Sequence, residues 1–185
     1  MRELSLHILD VVENGIAAGG NCIWIEIDEA REKDQLKIVI RDNGSGMPTE
    51  KLDNINDPFI TACTARRVGL GLSLLSAATE RCDGTLRVDT HPGKGTEIEA
   101  TFRYSHIDRA PLGDMAATIT TLIIGDAGID FVYSHCIDGN HFCLDTREIR
   151  AEMEGLSLCD PVVIQHLSEM IRSALKELAS SEDVA

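Results

Sequence analysis

Nowhere in its 185 residues does the chain hold an apolar run near the ~20 residues that span a bilayer. No secretory leader is expected either, because Met1 runs directly into a patterned helix. Basic residues are comparatively few: 17 Lys and Arg stand against 31 Asp and Glu, for a net charge of −14. Such a surface repels a phosphate backbone, which argues against binding to bare nucleic acid. The six cysteines include no CxxC pair, so reduced thiols in a cytoplasm are expected. No internal repeat or low-complexity tract is present. Two phosphate-binding signatures are also missing. GxxxxGK followed by Ser or Thr does not occur, which excludes a P-loop. Gly69-Leu70-Gly71 lacks a third glycine, position 74 being Leu, so the dinucleotide fingerprint fails.

What the chain does have is 43% hydrophobic residues, ordinary for a soluble globular protein, and enough length for one sizeable core with a small appended lobe. Residues 3–18 read as a helix, with Leu4, Ile8, Val11, Val12 and Gly15 on one face. His7, Asp10 and Asn14 fall on another face, and Gly19-Gly20 closes the helix. Ile23, Ile25 and Ile27 then alternate with Trp24, Glu26 and Asp28, as do Leu36, Ile38 and Ile40 with Lys37 and Arg41. That alternation predicts half-buried strands. Residues 70–82 are helical, with Leu70, Leu74 and Ala78 as the stripe and Gly84 as the stop. Further strands carry Leu86 and Val88, then Ile98, Ala100 and Phe102. From Ser105 the character changes. A helix over 113–123 leads to two strands joined at Asp138-Gly139. A last helix starts at Asp160 and Pro161, with Val163, Leu167, Met170, Ala174 and Leu178 as its apolar stripe. That stripe docks against the first lobe or forms a dimer seam. The expected division is 1–104 and a C-terminal α/β extension over 105–185.

Four short elements recur in order along the first hundred residues. Asp10 and Asn14 stack on one helix face, where alone they would be solvent-facing polar residues. Asp42-Asn43-Gly44-Ser45-Gly46-Met47 follows a strand, and in isolation would be a glycine-assisted turn. Gly69-Leu70-Gly71-Leu72 opens a helix after the run 61–68, and Gly93-Lys94-Gly95-Thr96 enters the last strand of that half. In this joint spacing they resemble the N, G1, G2 and G3 boxes of the GHKL ATPases. Asp57-Pro58-Phe59, ahead of Gly69-Leu70-Gly71-Leu72, looks most like the F and G2 boxes of histidine kinases.

The resemblance covers residues 3–103 and implies a two-layer α/β sandwich. Its mixed, mainly antiparallel sheet is covered by helices on one face, and ATP lies between helices and sheet under a lid. By position, Asp42 would accept from the adenine amino group, supported by Thr96 through water. Asn14 would reach the Mg²⁺ that bridges the phosphates. Gly44 and Gly46 belong to the same nucleotide-binding set. Gly69 and Gly71 would offer backbone N–H groups to phosphate oxygens at a helix N-terminus. Arg66 and Arg67, on the lid, are candidate γ-phosphate partners. In hydrolysing branches the residue four before the box asparagine is a glutamate that activates water. Here it is Asp10, one methylene shorter, the candidate general base. The implied function is Mg·ATP binding with phosphotransfer or hydrolysis serving regulation, through a protein partner or a homodimer. The alternative is a module that senses ATP without turnover.

Two further clusters lie in the tail. His135, Cys136, His141 and Cys143 flank Asp138-Gly139, and pairing there sets Cys136 opposite His141 and Ser134 opposite Cys143 on one face. These could hold zinc, or the cysteines could pack as small apolar fillers. Ser105-His106-Ile107-Asp108-Arg109-Ala110-Pro111-Leu112 resembles the phosphate-receiving box of histidine kinases, with Ile107 where that box is acidic. His106 is therefore a candidate phosphoacceptor, and a polar interdomain loop is the other reading.

Overall fold

A computed structural model describes residues 2–46, 70–153 and 156–180. In chain order the elements are α1 (Leu4–Ala17), β1 (Cys22–Ala30), a short 3-10 turn (Arg31–Lys33), β2 (Gln35–Asp42), α2 (Leu70–Arg81), β3 (Leu86–His91) and β4 (Gly95–Arg103). There follow α3 (Met115–Gly125), β5 (Asp130–Ile137), β6 (Asn140–Asp145), α4 (Thr146–Glu152) and α5 (Pro161–Ser180). The strands form one six-stranded sheet in the order β3-β4-β2-β1-β5-β6. Its pairings are antiparallel except for β1 with β5, which run parallel from Cys22↔Asp130 to Glu29↔Ile137. Residues 105–185 thus add two strands to the sheet begun by the first hundred residues.

Alternation in the strands separates the two faces. Ile23, Ile25 and Ile27, Leu36, Ile38 and Ile40, Ile98, Ala100 and Phe102, and Phe131 and Tyr133 are all buried. They pack with Leu4, Ile8, Val11 and Val12 of α1 and with Met115, Ile119 and Ile123 of α3. The opposite face carries charge, with Arg41 paired to Glu97 at 2.5 Å and Lys37 to Glu99 at 3.9 Å. This is the expected sandwich, with helices over one face.

Helix ends follow local chemistry. Asp114 caps α3 by accepting from Ala117 N at 2.9 Å, and Asp160 opens α5 by accepting from Val162 N at 2.9 Å. The hairpin turn takes positive φ at both Asp138 (47°) and Gly139 (91°), the geometry that suits two twisted strands. In α2 the buried stripe differs from the expected one by a residue. Leu74 is 43% exposed, whereas Gly71, Leu75, Thr79 and Cys82 are buried. The small Gly71 faces α1, and that contact sets the rotation of the helix.

Candidate nucleotide-binding site

Three loops and a helix end meet at one end of the sheet. β2 terminates at Asp42, which is buried and lies across from Thr96 in the β2–β4 register. The Asp42 Oδ1 accepts from Gly44 N at 2.8 Å, folding the chain into a tight turn. Ser45 N donates to Ala18 O at 2.9 Å, and Gly93 N donates to Ser45 O at 2.7 Å. The loop after β2 is thereby tied to the end of α1 and to the β3–β4 turn. Gly46, at φ +63°, passes so close to the carbonyl oxygens of His91 and Gly95 that no side chain fits. Asn43 contributes scaffolding: its Oδ1 accepts from Asn21 N (2.9 Å) and Cys22 N (3.1 Å). Thr96 is held by its neighbour Thr90, hydroxyl to hydroxyl at 3.0 Å.

Burial raises the Asp42 carboxyl above its ordinary range, while the backbone N–H groups of Gly44 and Thr96 pull it back. A buried carboxylate beside a loop of backbone donors is poised to accept from an amino group. On α1, Asp10 and Asn14 are half-buried and Glu13 is exposed. A methyl placed on Gly71 would stand 3.2 Å from Asp10 Cβ, 3.6 Å from Asp10 Oδ2 and 3.8 Å from Asn14 Nδ2. The first turn of α2 therefore faces the Asp10–Asn14 stripe, bringing a helix N-terminus beside an amide and a carboxylate. Those donor types suit phosphate and a hard cation.

His7 departs from the expected polar stripe. It lies three residues after Leu4 and four before Val11, so it falls at the border of the apolar face and is buried. Its Nδ1 has no hydrogen-bond partner among the described residues, and burial lowers its pKa. Of the other expected site residues, Asp42, Gly44, Gly46 and Thr96 converge at the end of the sheet, and Asp10, Asn14 and Gly71 meet between α1 and α2. Arg66, Arg67 and Gly69 lie outside the described residues, as does the run 61–68.

Two tail candidates sit elsewhere. From Thr96 to Arg103 there are seven strand steps, about 23 Å at ~3.3 Å each, and His106 lies beyond Arg103. Its Nδ1 accepts from Asp108 N at 3.1 Å and its Nε2 stands 3.8 Å from Asp83 Oδ2. In a neutral ring that arrangement leaves the proton on Nε2. In the hairpin, Cys136↔His141 and Ser134↔Cys143 pair as expected. His135 points to the other face, where Nδ1 meets Tyr133 Oη at 2.7 Å and Nε2 meets Glu29 Oε1 at 2.8 Å. No group of three or more His, Cys, Asp or Glu is placed to hold a metal ion among the described residues.

A family model described as histidine kinase-, DNA gyrase B-, and HSP90-like ATPase matches residues 2–106, more than half of the chain. The chain belongs to that ATPase family. Among its relatives, sporulation kinase C of Bacillus subtilis is 31% identical over 100 residues, which are 54% of this chain and 23% of the kinase. Sporulation kinase A of the same organism is 26% identical over 100 residues, 54% of this chain and 16% of the kinase. The ATPase chain thus spans less than a quarter of the length of these two kinases. The ADP-complexed MutL ATPase domain of Aquifex aeolicus overlays with a TM-score of 0.47 at 14% identity, covering 78% of this chain and 63% of that one. Among the described residues, no helix is long and apolar enough to cross a membrane.

Proposed function

We propose that this protein binds Mg·ATP at the end of its sheet and passes the γ-phosphate to a partner protein or to water, in a cytoplasmic regulatory role. The observation that carries the proposal is the approach of Gly71 to Asp10 and Asn14 beside the buried Asp42. Adenine and phosphate need different chemistry, and on this reading Asp42 serves the first while Asn14 and Gly71 serve the second. The Asp42 carboxylate accepts from the adenine amino group, and Thr96 supports it. Asn14, with its amide oxygen, holds the Mg²⁺, which when bound neutralises phosphate charge. The α2 N-terminus offers backbone N–H groups at Gly71, and with Gly69 completes the phosphate cradle. Arg66 and Arg67 supply charge to the γ-phosphate. Asp10 orients and deprotonates the attacking water.

A second reading, an ATP-sensing module without turnover, is favoured by one feature: Asp10 has a shorter reach than glutamate. Both readings meet in a single experiment with γ-labelled ATP, scoring phosphate release and labelled protein alone and with lysate. Wild type should release or transfer label, while Asp10→Asn should bind ATP and release none, since an amide cannot take the proton. Binding with no release or transfer by wild type would select the sensing module. Equal release by wild type and Asp10→Asn would remove Asp10 from the base role.

A further inference from the structure

Helices α3 and α5 pack against each other in opposite senses and leave an open groove of about 620 Å³ between them. Contacts at both ends fix that sense. Arg172 Nη2 donates to Asp114 Oδ2 at 2.9 Å where α3 starts, and the Cys159 thiol donates to Ile123 O at 3.5 Å near its finish. The ten residue steps from Asp114 to Ile124 (124 − 114) cover about 15 Å at ~1.5 Å each, nearly three helical turns. The apolar part of the lining includes Ile124, Pro161 and Ile164. Ile124 is 56% exposed, and Val162, next to Pro161, is 76% exposed. Large apolar side chains left in solvent beside a concave surface mark a binding face, whereas single scattered ones do not.

Polar groups on the same walls have partners within the chain. The Thr120 hydroxyl donates to Ala116 O at 2.8 Å, the Gln165 amide donates to Glu169 Oε1 at 2.9 Å, and Arg172 is held by Asp114. What these walls offer an incoming molecule is apolar surface and negative charge. Asp126, directly after α3, and Asp160, which caps α5, stand at one end, and Glu169 lies on the wall between the ends. A second copy of this chain, at a net charge of −14, meets repulsion there. So does the segment 181–185, which carries Glu182 and Asp183. We infer that the α3–α5 groove docks an amphipathic helix of a partner protein, its apolar anchors in the groove and Lys or Arg along its flanks. Helices recognised in this way present anchors at i, i+3 or i+4, and i+7, a stretch that matches the length of α3 on offer. Basic flanks then meet Asp126, Asp160 and Glu169. Docking here needs no nucleotide and stands apart from the Mg·ATP reading.

The test uses the full chain and a fluorescent peptide about three helical turns long, with Leu at i, i+4 and i+7 and Lys elsewhere. One control peptide has the same composition in scrambled order, and a second keeps the anchors but carries Glu for Lys. Fluorescence polarisation should show saturable binding of the first peptide that weakens as salt rises, with both controls at least about ten-fold weaker. Ile124→Glu separates the groove from diffuse charge. It makes the chain more acidic, so general attraction would tighten binding, whereas a charge set in the groove wall should weaken it about ten-fold or more. Ser168→Phe fills the groove at constant charge and should do the same, which keeps the test open if Ile124→Glu does not fold. Failure of the basic amphipathic peptide to bind would overturn the inference, as would equal binding of either control. Unchanged or raised affinity in the variants that keep the wild-type melting point would also overturn it. Sedimentation of the chain alone covers the other occupant. Concentration-dependent dimers that Ile124→Glu abolishes would assign the groove to a second copy instead.

Discussion

Ending the chain after Tyr104 removes the two strands and three helices that follow it, and with them the parallel partner of β1, leaving only its pairing with β2. The cost can be worked from three isoleucines. Ile23, Ile25 and Ile27 are 0%, 0% and 1% exposed, and part of their cover is Phe131 and Tyr133, both 0% exposed, together with Ile119 at 0%. Burying one such side chain stabilises a fold by about 1.5–3 kcal/mol. Losing half of that cover at three positions costs roughly 2–5 kcal/mol, before counting the ladder along β1, against a domain stability of about 5–15 kcal/mol. A fragment of this size shifts its midpoint by roughly 4–8 °C per kcal/mol, so a drop of at least about 10 °C is expected. Glu29 would also lose His135, leaving a half-buried carboxylate with fewer partners. Calorimetric melting and ATP titration of residues 1–104 beside the full chain decide the matter. We expect a broad, lowered transition and weakened ATP binding. A fragment that melted cooperatively at the full chain's midpoint, with undiminished ATP affinity, would refute the reasoning.

Asp42→Asn should weaken ATP binding by about five- to a hundred-fold, equivalent to roughly 1–3 kcal/mol for one lost buried acceptor. Because folding raises the Asp42 pKa, its contribution to stability is present below the unfolded value and lost as pH rises through the folded one. The nucleotide-free Asp42→Asn protein should therefore melt higher than wild type at pH 7, and an unchanged or lower melting point would count against a desolvated carboxylate there. For Glu29 the sign reverses. Burial alone would raise its pKa, but the hydrogen bonds from His135 and Tyr104 and the charges of His135 and Arg31 prevail and lower it. That stability is present above the ordinary carboxylate range, near pH 4.5, and is lost as pH falls through the lowered value. Denaturant titrations of Glu29→Gln should show a flatter acid limb than wild type, and parallel limbs would exclude the pair as a source of acid sensitivity. If His106 receives phosphate, labelled ATP should give an acid-labile, base-stable label that His106→Ala abolishes while ATP binding survives. A label that persists in His106→Ala would place the acceptor elsewhere.

Much of the ATPase half could be read directly because period and position agreed there. Isoleucines alternating in β1 and β2 announced both the strands and their buried face, and the site loops carry glycines at fixed places relative to strand ends. Hydropathy was a poorer guide where packing is set by what is small. In α2, the close approach of Gly71 to α1 turns Leu74 outward, and no apolar count favours a glycine. α4, with the sequence Thr-Arg-Glu-Ile-Arg-Ala-Glu, has no apolar period to find; its start is marked only by Asp145, which accepts from Arg147 N at 2.9 Å. Nor does alternation say which strands are neighbours. The parallel match of β1 with β5 and the bond between Glu29 and His135, 106 residues apart, come from tertiary placement alone. For the candidate site, the sequence pattern pointed to Asp10, Asn14, Asp42 and Thr96, and the fold brings Asp42 beside Thr96 and Gly71 beside Asp10 and Asn14. The close approach of α1 to Asp42, where a methyl on Gly15 would stand 2.9 Å from Asp42 Cβ, had no sequence signal beyond the absence of a side chain.

The parallel seam between β1 and β5 also sets a timetable for synthesis. β4 is complete at Arg103, but the strand that flanks β1 ends only at Ile137. Those 34 further residues (137 − 103) take about 2–7 s at ribosomal rates of roughly 5–20 residues per second. Throughout that interval every loop of the candidate site is ahead of the missing strand, while β1 still waits for its parallel neighbour. A nascent chain in this condition presents an open strand edge of the kind that pairs with other chains. Nucleotide that bound early would meet a half-built sheet. The order of translation thus makes the C-terminal strands the step that completes the sheet.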